Sequence, residues 1–208
     1  MKIRIAWLIP FLILGCLISR CTPKARYERM LKHELASGIR HDSLFMGIYL
    51  GMPQKDFYAH CWALNKKGLF MAGENNATVR YNMKNELKYP AIMDFYPAFS
   101  EGKISKMPVT YKYTGWVPWN KAFSSKSLQL DLLRYYEKIY GSGFITVSDS
   151  LYGDAYVKID GNRRISIYTR DDLNVLVVFT DMLVKKDPVI PSPSDKNIND
   201  TLKTPEKN

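Results

Sequence analysis

This chain has little of what most enzymes leave in a sequence. Its 208 residues include only three cysteines and three histidines. Cys16, Cys21 and Cys61 make no Cys-x-x-Cys pair, and no Cys/His group has the spacing of a zinc site. No glycine-rich loop that could cradle a phosphate is present; Gly161-Asn162-Arg163 reads as a hairpin. The net charge is +10, yet the charges are spread and not run together, as on a solvated surface. The apolar run from Ile5 to Ile18 contains Pro10 and falls short of the roughly 20 residues that span a bilayer as a helix. No metal ligand is assigned and no cofactor is expected.

The residues of general acid–base and nucleophilic chemistry are present but ungrouped. His60 adjoins Cys61, but neighbours on a helix point away from each other, so they do not form a nucleophile and base. His41-Asp42-Ser43 has the residue types of a triad, but adjacent residues do not converge as a triad does, and the stretch reads as a loop. Asp94, Glu101, Asp149, Asp154, Asp171, Asp172 and Asp181 offer carboxylates that no pattern pairs. Asp149, Asp154 and Asp160 stand in or beside turns, an ordinary place for Asp. Asp171-Asp172 with Asn174 does not match the spacing of a calcium loop. No catalytic residue is assigned.

What the chain does have is a distinctive start. Met1 to Arg4 is cationic, Ile5 to Leu14 is apolar, and Gly15-Cys16 follows. That is the build of a secretory signal, residues 1–15. Ile13-Leu14-Gly15-Cys16 resembles a bacterial lipobox, which implies that the Cys16 thiol receives lipid and becomes the new N-terminus. Leu14 stands where a small residue is usual. Cys21, preceded by Arg20, is the alternative site. An uncleaved anchor and a cleaved signal without lipid remain open beside this reading. Several acyl chains hold a protein at a membrane durably, whereas one does so weakly. The expected location is the bacterial cell envelope, facing the periplasm, with the membrane as a partner through the N-terminal lipid. Losing Lys2 and Arg4 with the signal takes the net charge from +10 to +8. Such a surface suits anionic headgroups, anionic glycans or an acidic protein. Nucleic acid is not an expected partner of an exported chain.

A tether, 16–26, leads into an expected α+β domain over 27–184. Tyr27, Met30, Leu31 and Leu35 recur at helical spacing up to Gly38. Phe45 to Leu50 reads as a strand or a packed turn. Gly51-Met52-Pro53 opens a helix, with Pro53 at its first position, and Phe57, Cys61 and Leu64 on one face. A buried free thiol is expected at Cys61. Val79–Met83, residues 91–96 and Val109–Tyr113 read as strands, with a turn at Ser100–Lys103. Ser124 or Ser125 caps a second helix whose stripe is Leu128, Leu132, Tyr135, Tyr136 and Ile139, ending at Gly141. Strands follow at 144–148, 155–159, 164–168 and 174–180, the last apolar enough to be central. Asp160-Gly161-Asn162 makes the hairpin between the middle two. The fold class expected is an antiparallel β-sheet with helices packed on one face. Two similar helix-plus-meander halves, 27–119 and 120–184, are possible within it, as one sheet or two. The polar tail 185–208, with Pro188, Pro191 and Pro193, has too few apolar residues to order itself.

Leu50-Gly51-Met52 before a helix and a meander resembles the step into the helix in small envelope domains of the BamE/SmpA and β-lactamase-inhibitor type. Pro53 takes the place of the Thr in that motif. The short signal, the Tyr/Asn/Lys-rich body and the polar tail are similar to lipoproteins of the Bacteroides group. The resemblance implies a non-catalytic assembly or inhibitor-like binding role. The aromatic stretch Tyr113, Trp116 and Trp119 supplies the candidate partner contacts, since Trp and Tyr are frequent anchors of interfaces and their flat faces also hold sugars. The partner expected is another envelope protein or a glycan. The rival reading is an enzyme on envelope glycan or peptide working through Asp/Glu.

Overall fold

The computed structural model describes residues 23–149 and 153–184. The signal, Cys16, Cys21 and the tail 185–208 lie outside the described residues. Three helices are described: α1 (Pro23–Ala36), α2 (Gln54–Lys66) and α3 (Ser125–Tyr140). The strands are β1 (Met71–Ala72), β2 (Val79–Met83), β3 (Ala91–Phe95), β4 (Ala98–Ser100), β5 (Lys103–Tyr113), β6 (Ile145–Asp149), β7 (Gly153–Asp160), β8 (Arg163–Thr169) and β9 (Val175–Asp181). Among the described residues, no helix is long and apolar enough to cross a membrane.

All nine strands join one antiparallel sheet, in the order β1-β2-β3-β5-β9-β8-β7-β6, with β4 paired to β5. The link between its two parts is β5 on β9, from Lys106↔Thr180 to Tyr111↔Val175. β9 is buried along its whole length, which is why its sequence is a nearly continuous apolar run and does not alternate. β5 does alternate, because Met107, Val109, Tyr111 and Tyr113 face the core. The fold is the expected α+β class, an antiparallel sheet with α2 and α3 on one face.

The main core lies between that face and those two helices. Phe57 of α2 and Leu128, Leu132 and Tyr136 of α3 meet Met93, Phe95, Val109, Ile165, Val177 and Phe179 of the sheet. Edge-to-face ring pairs bind it together, such as Phe45–Phe95 at 5.0 Å and Phe70–Phe95 at 5.3 Å between centroids. Burying one such side chain fully contributes about 1.5–3 kcal/mol. The alternate residues of β8 and β9, Tyr168, Leu176 and Val178, point to the reverse face. There Tyr27 and Met30 of α1 complete a smaller cluster with Ile145, Ala155 and Val157.

Local expectations shift in two places. Pro53 is the N-cap of α2, with φ −61° and an extended ψ of 143°, and not its first helical residue. α1 begins at Pro23, earlier than its apolar spacing suggests. Proline suits a first helical turn, and Lys24, Ala25 and Arg26 are good helix formers, so the end of the expected tether is already helix.

Candidate functional site

The strand ends divide the molecule into two poles. At one pole, β7 turns into β8 through Gly161 and Asn162. His41 N–H donates to Asn162 Oδ1 at 2.7 Å, and Asn162 Nδ2 donates to Asp42 at 2.9 Å. Arg40 bridges Asp42 and Asp181, and Arg163 donates to Asp160 and to the Ser43 carbonyl. The Arg163 guanidinium lies 4.4 Å from the Tyr140 ring centroid. His41 thus faces Asp160, at 3.3 Å, and not its neighbour Asp42. The triad residue types do not converge. This pole is a structural knot that fastens residues 40–44 to the sheet.

The other pole collects the connection from β5 to α3, the β8–β9 turn and the start of α3. Ser124 caps α3, its Oγ accepting from Ser127 N–H, and Ser125 N–H donates to the Asp172 carbonyl at 3.1 Å. That bond fastens the helix start to the turn. Between them opens a cleft of about 500 Å³ whose walls include Trp116, Pro118, Lys121, Lys126, Arg170 and Asp172. Among the described residues, Lys121 and Lys126 form no ion pair. Trp119 stands between two lining residues, Pro118 and Asn120, and is 81% exposed. Trp116 is half-buried.

Tyr113 does not join the two tryptophans at the surface. It is 2% exposed, packed edge-on against Tyr89 and Phe123, and its hydroxyl donates to Asp131. Burial, then that hydrogen bond, pushes its ionisation well up. The alternation that puts Tyr111 in the core does the same to Tyr113, while Trp116 and Trp119 fall beyond the end of β5.

Of the two carboxylates lining this cleft, Asp171 is already engaged. Burial pushes Asp171 up, but the Asn174 side chain, the N–H groups of Asn174 and Leu173 and the charge of Arg170 outweigh it and hold the carboxyl below the ordinary range. Asp171 is a turn-former and a poor proton donor. A second cleft, of about 620 Å³, lies between the β2–β3 turn and α3, with Glu86, Asp131, Arg134 and Glu137 among its walls. Glu86 accepts from Tyr81, and the two oxygens of Asp131 take Tyr113 and Arg134. Neither cleft holds two unengaged carboxylates facing each other in the way glycoside hydrolysis needs.

Two further reactive groups, His60 and Cys61, are held away from either cleft. His60 Nε2 lies 2.7 Å from the Met46 carbonyl. Cys61 is a free, half-buried thiol against the core, and burial pushes its pKa up to about 12, so it stays protonated and unreactive at neutral pH. Among the described residues, no group of three His, Cys, Asp or Glu side chains could hold a metal ion. Sequence reasoning missed Lys121, Lys126 and Arg170, because single cations scattered over a short turn, the first turn of α3 and the β8–β9 turn carry no pattern. Only the fold gathers them around Trp116. Compared with protein-family models, curated proteins and solved structures, the chain gives no match.

Proposed function

We propose that this protein is a non-catalytic, lipid-anchored component of the bacterial cell envelope that faces the periplasm. The pole bearing Trp116 and Trp119 is its binding surface for another envelope component. The observation that carries the reading is Trp119. A side chain of this size, 81% exposed beside an open cleft lined by Lys121, Lys126 and Arg170 together with Asp171 and Asp172, gains little from the fold. It contributes free energy only when a partner covers it. The anchor rests on the sequence from Met1 to Cys16. The engaged state of Asp171, Glu86 and Asp131 speaks for binding over hydrolysis.

The test has two parts. Replacing Cys16 with Ser should release the chain from the membrane fraction, and a variant that stays membrane-bound and unprocessed would sink the lipid reading. Crosslinking in intact cells, followed by purification of a tagged copy, should bring down one dominant envelope component. The double change Trp116→Ala and Trp119→Ala should remove it. Equal capture by both chains, or no specific capture at all, would count against this pole as a surface for a protein partner.

A further inference from the structure

We infer that the component covering the Trp119 pole is the anionic headgroup layer of the membrane to which the chain is tethered. The inference rests on the reading of this pole as the binding surface, and it adds the partner. Three features support it, the second resting on the proposed lipid at Cys16.

The first is the direction of α1. Glu34, near its C-terminal end, accepts from Gly161 N–H at the β7–β8 turn, at 3.0 Å. Residue 39 is at the same place, its carbonyl lying against Gly161. Tyr27, two turns earlier, accepts from Arg164 further along β8 at 3.0 Å. Moving back along α1 therefore means moving along β8 toward Thr169 and the 170–174 turn. A helix rises about 1.5 Å per residue, so Pro23 lies on the order of 15 Å nearer that pole than Glu34 does. The helix starts toward the Trp119 pole and ends at the Gly161 pole.

The second is the length of chain before it. Seven residues carry the chain from Cys16 to Pro23, and a fully extended run of that length reaches at most about 25 Å. A lipid at Cys16 therefore holds the membrane close to the start of α1, and the pole at which α1 starts is the one nearest the bilayer. The knot of Arg40, Asp42, Asn162 and Arg163 is at the far pole.

The third is chemistry. Trp119 is exposed, and Lys121, Lys126 and Arg170 surround the neighbouring cleft. Indole prefers the headgroup region, where its ring is half in apolar surroundings, and long cationic side chains complement lipid phosphates. Asp171 and Asp172 line the same cleft; Asp171, held ionised by its hydrogen bonds from Asn174 and Leu173, is offset by the charge of Arg170, which leaves one net positive charge among the five. The pole thus seats on the bilayer like a foot, with the sheet rising from it.

The full lipid-bearing chain, reconstituted into vesicles, tests this. Bromine-labelled acyl chains quench indoles that reach the bilayer, and comparison with Trp119→Phe isolates the signal of Trp119 from Trp62 and Trp116, the other tryptophans left once Trp7 departs with the signal. In vesicles containing phosphatidylglycerol, the Trp119 signal should be quenched, and quenching should fall about twofold or more in pure phosphatidylcholine or at high salt. The triple change Lys121→Gln, Lys126→Gln and Arg170→Gln should remove the dependence on anionic lipid. A Trp119 signal unquenched in both lipids overturns the inference. If a protein is nevertheless captured through Trp116 and Trp119 in cells, the binding-surface reading stands and only its partner changes. If neither occurs, both readings fall.

Discussion

Tyr113 and Trp119 are six residues apart and face opposite surroundings. Tyr113 ends β5 on the core side, so its hydroxyl needs an acceptor indoors. Asp131, 7% exposed on α3, supplies it and is itself held by Arg134. Removing that acceptor leaves a buried O–H with no partner. Asp131→Ala should therefore destabilise the fold by about 1–3 kcal/mol, and Tyr113→Phe with Asp131→Ala should cost less than Asp131→Ala alone. Urea denaturation of the three chains measures this. A double loss equal to the sum of the Asp131→Ala and Tyr113→Phe losses would mean the pair is not coupled. Trp119 has no such partner, and a change there should leave stability within about 0.5 kcal/mol. The residues on which stability rests at this pole are therefore distinct from those offered for binding.

At the scale of elements, the β7–β8 hairpin is the most exacting. Gly161 has φ +58°, and a Cβ there would lie 2.4 Å from the Ile39 carbonyl oxygen. Gly161→Ala should therefore cost more than about 1 kcal/mol and loosen the 39–44 segment. Hydrogen exchange should show faster exchange at His41 N–H, and unchanged exchange there would contradict the assigned knot. The hairpin itself was legible in Asp160-Gly161-Asn162, as was the central place of β9 from its apolar run. The helices were legible from their stripes, although Ile139 turns out half exposed where the stripe would bury it. What the sequence hides is contact between distant segments. Nothing local says that Asn162 reaches His41 and Asp42, that Asp131 waits for Tyr113, or that α1 crosses to the reverse face. The candidate site was half legible, since Trp116 and Trp119 stand out as residues while Lys121, Lys126 and Arg170 become a group only when β8, β9 and α3 meet.

At the scale of the molecule, β5 on β9 makes one sheet and one main core, so both parts should unfold together. The centre of that core holds Tyr111 and Tyr136, hydrogen-bonded to each other. Burial raises both ionisations well above the ordinary value of 10.0. The folded state thus holds these protons more tightly than the unfolded state. Their stabilisation is complete below about pH 10 and is lost as pH rises toward the folded values. Ultraviolet titration should show Tyr111 and Tyr136 ionising only together with loss of far-ultraviolet circular dichroism, in one alkaline transition. Ionisation of all tyrosines near pH 10 in a folded chain would refute the packing.

The molecule as a whole is a sheet with a fastened pole at Gly161 and, as proposed, a binding pole at Trp119, and this polarity is the central claim. Photo-crosslinking in intact cells tests it most directly, with a photoreactive phenylalanine analogue placed at Trp119 or, in a second chain, at Ile139. Ile139 is another surface-accessible apolar side chain, 50% exposed near the C-terminal end of α3, at the opposite pole. The account predicts a strong adduct from position 119, with lipid as its main component, and little from position 139. Equal labelling at both positions, or labelling confined to 139, would contradict it.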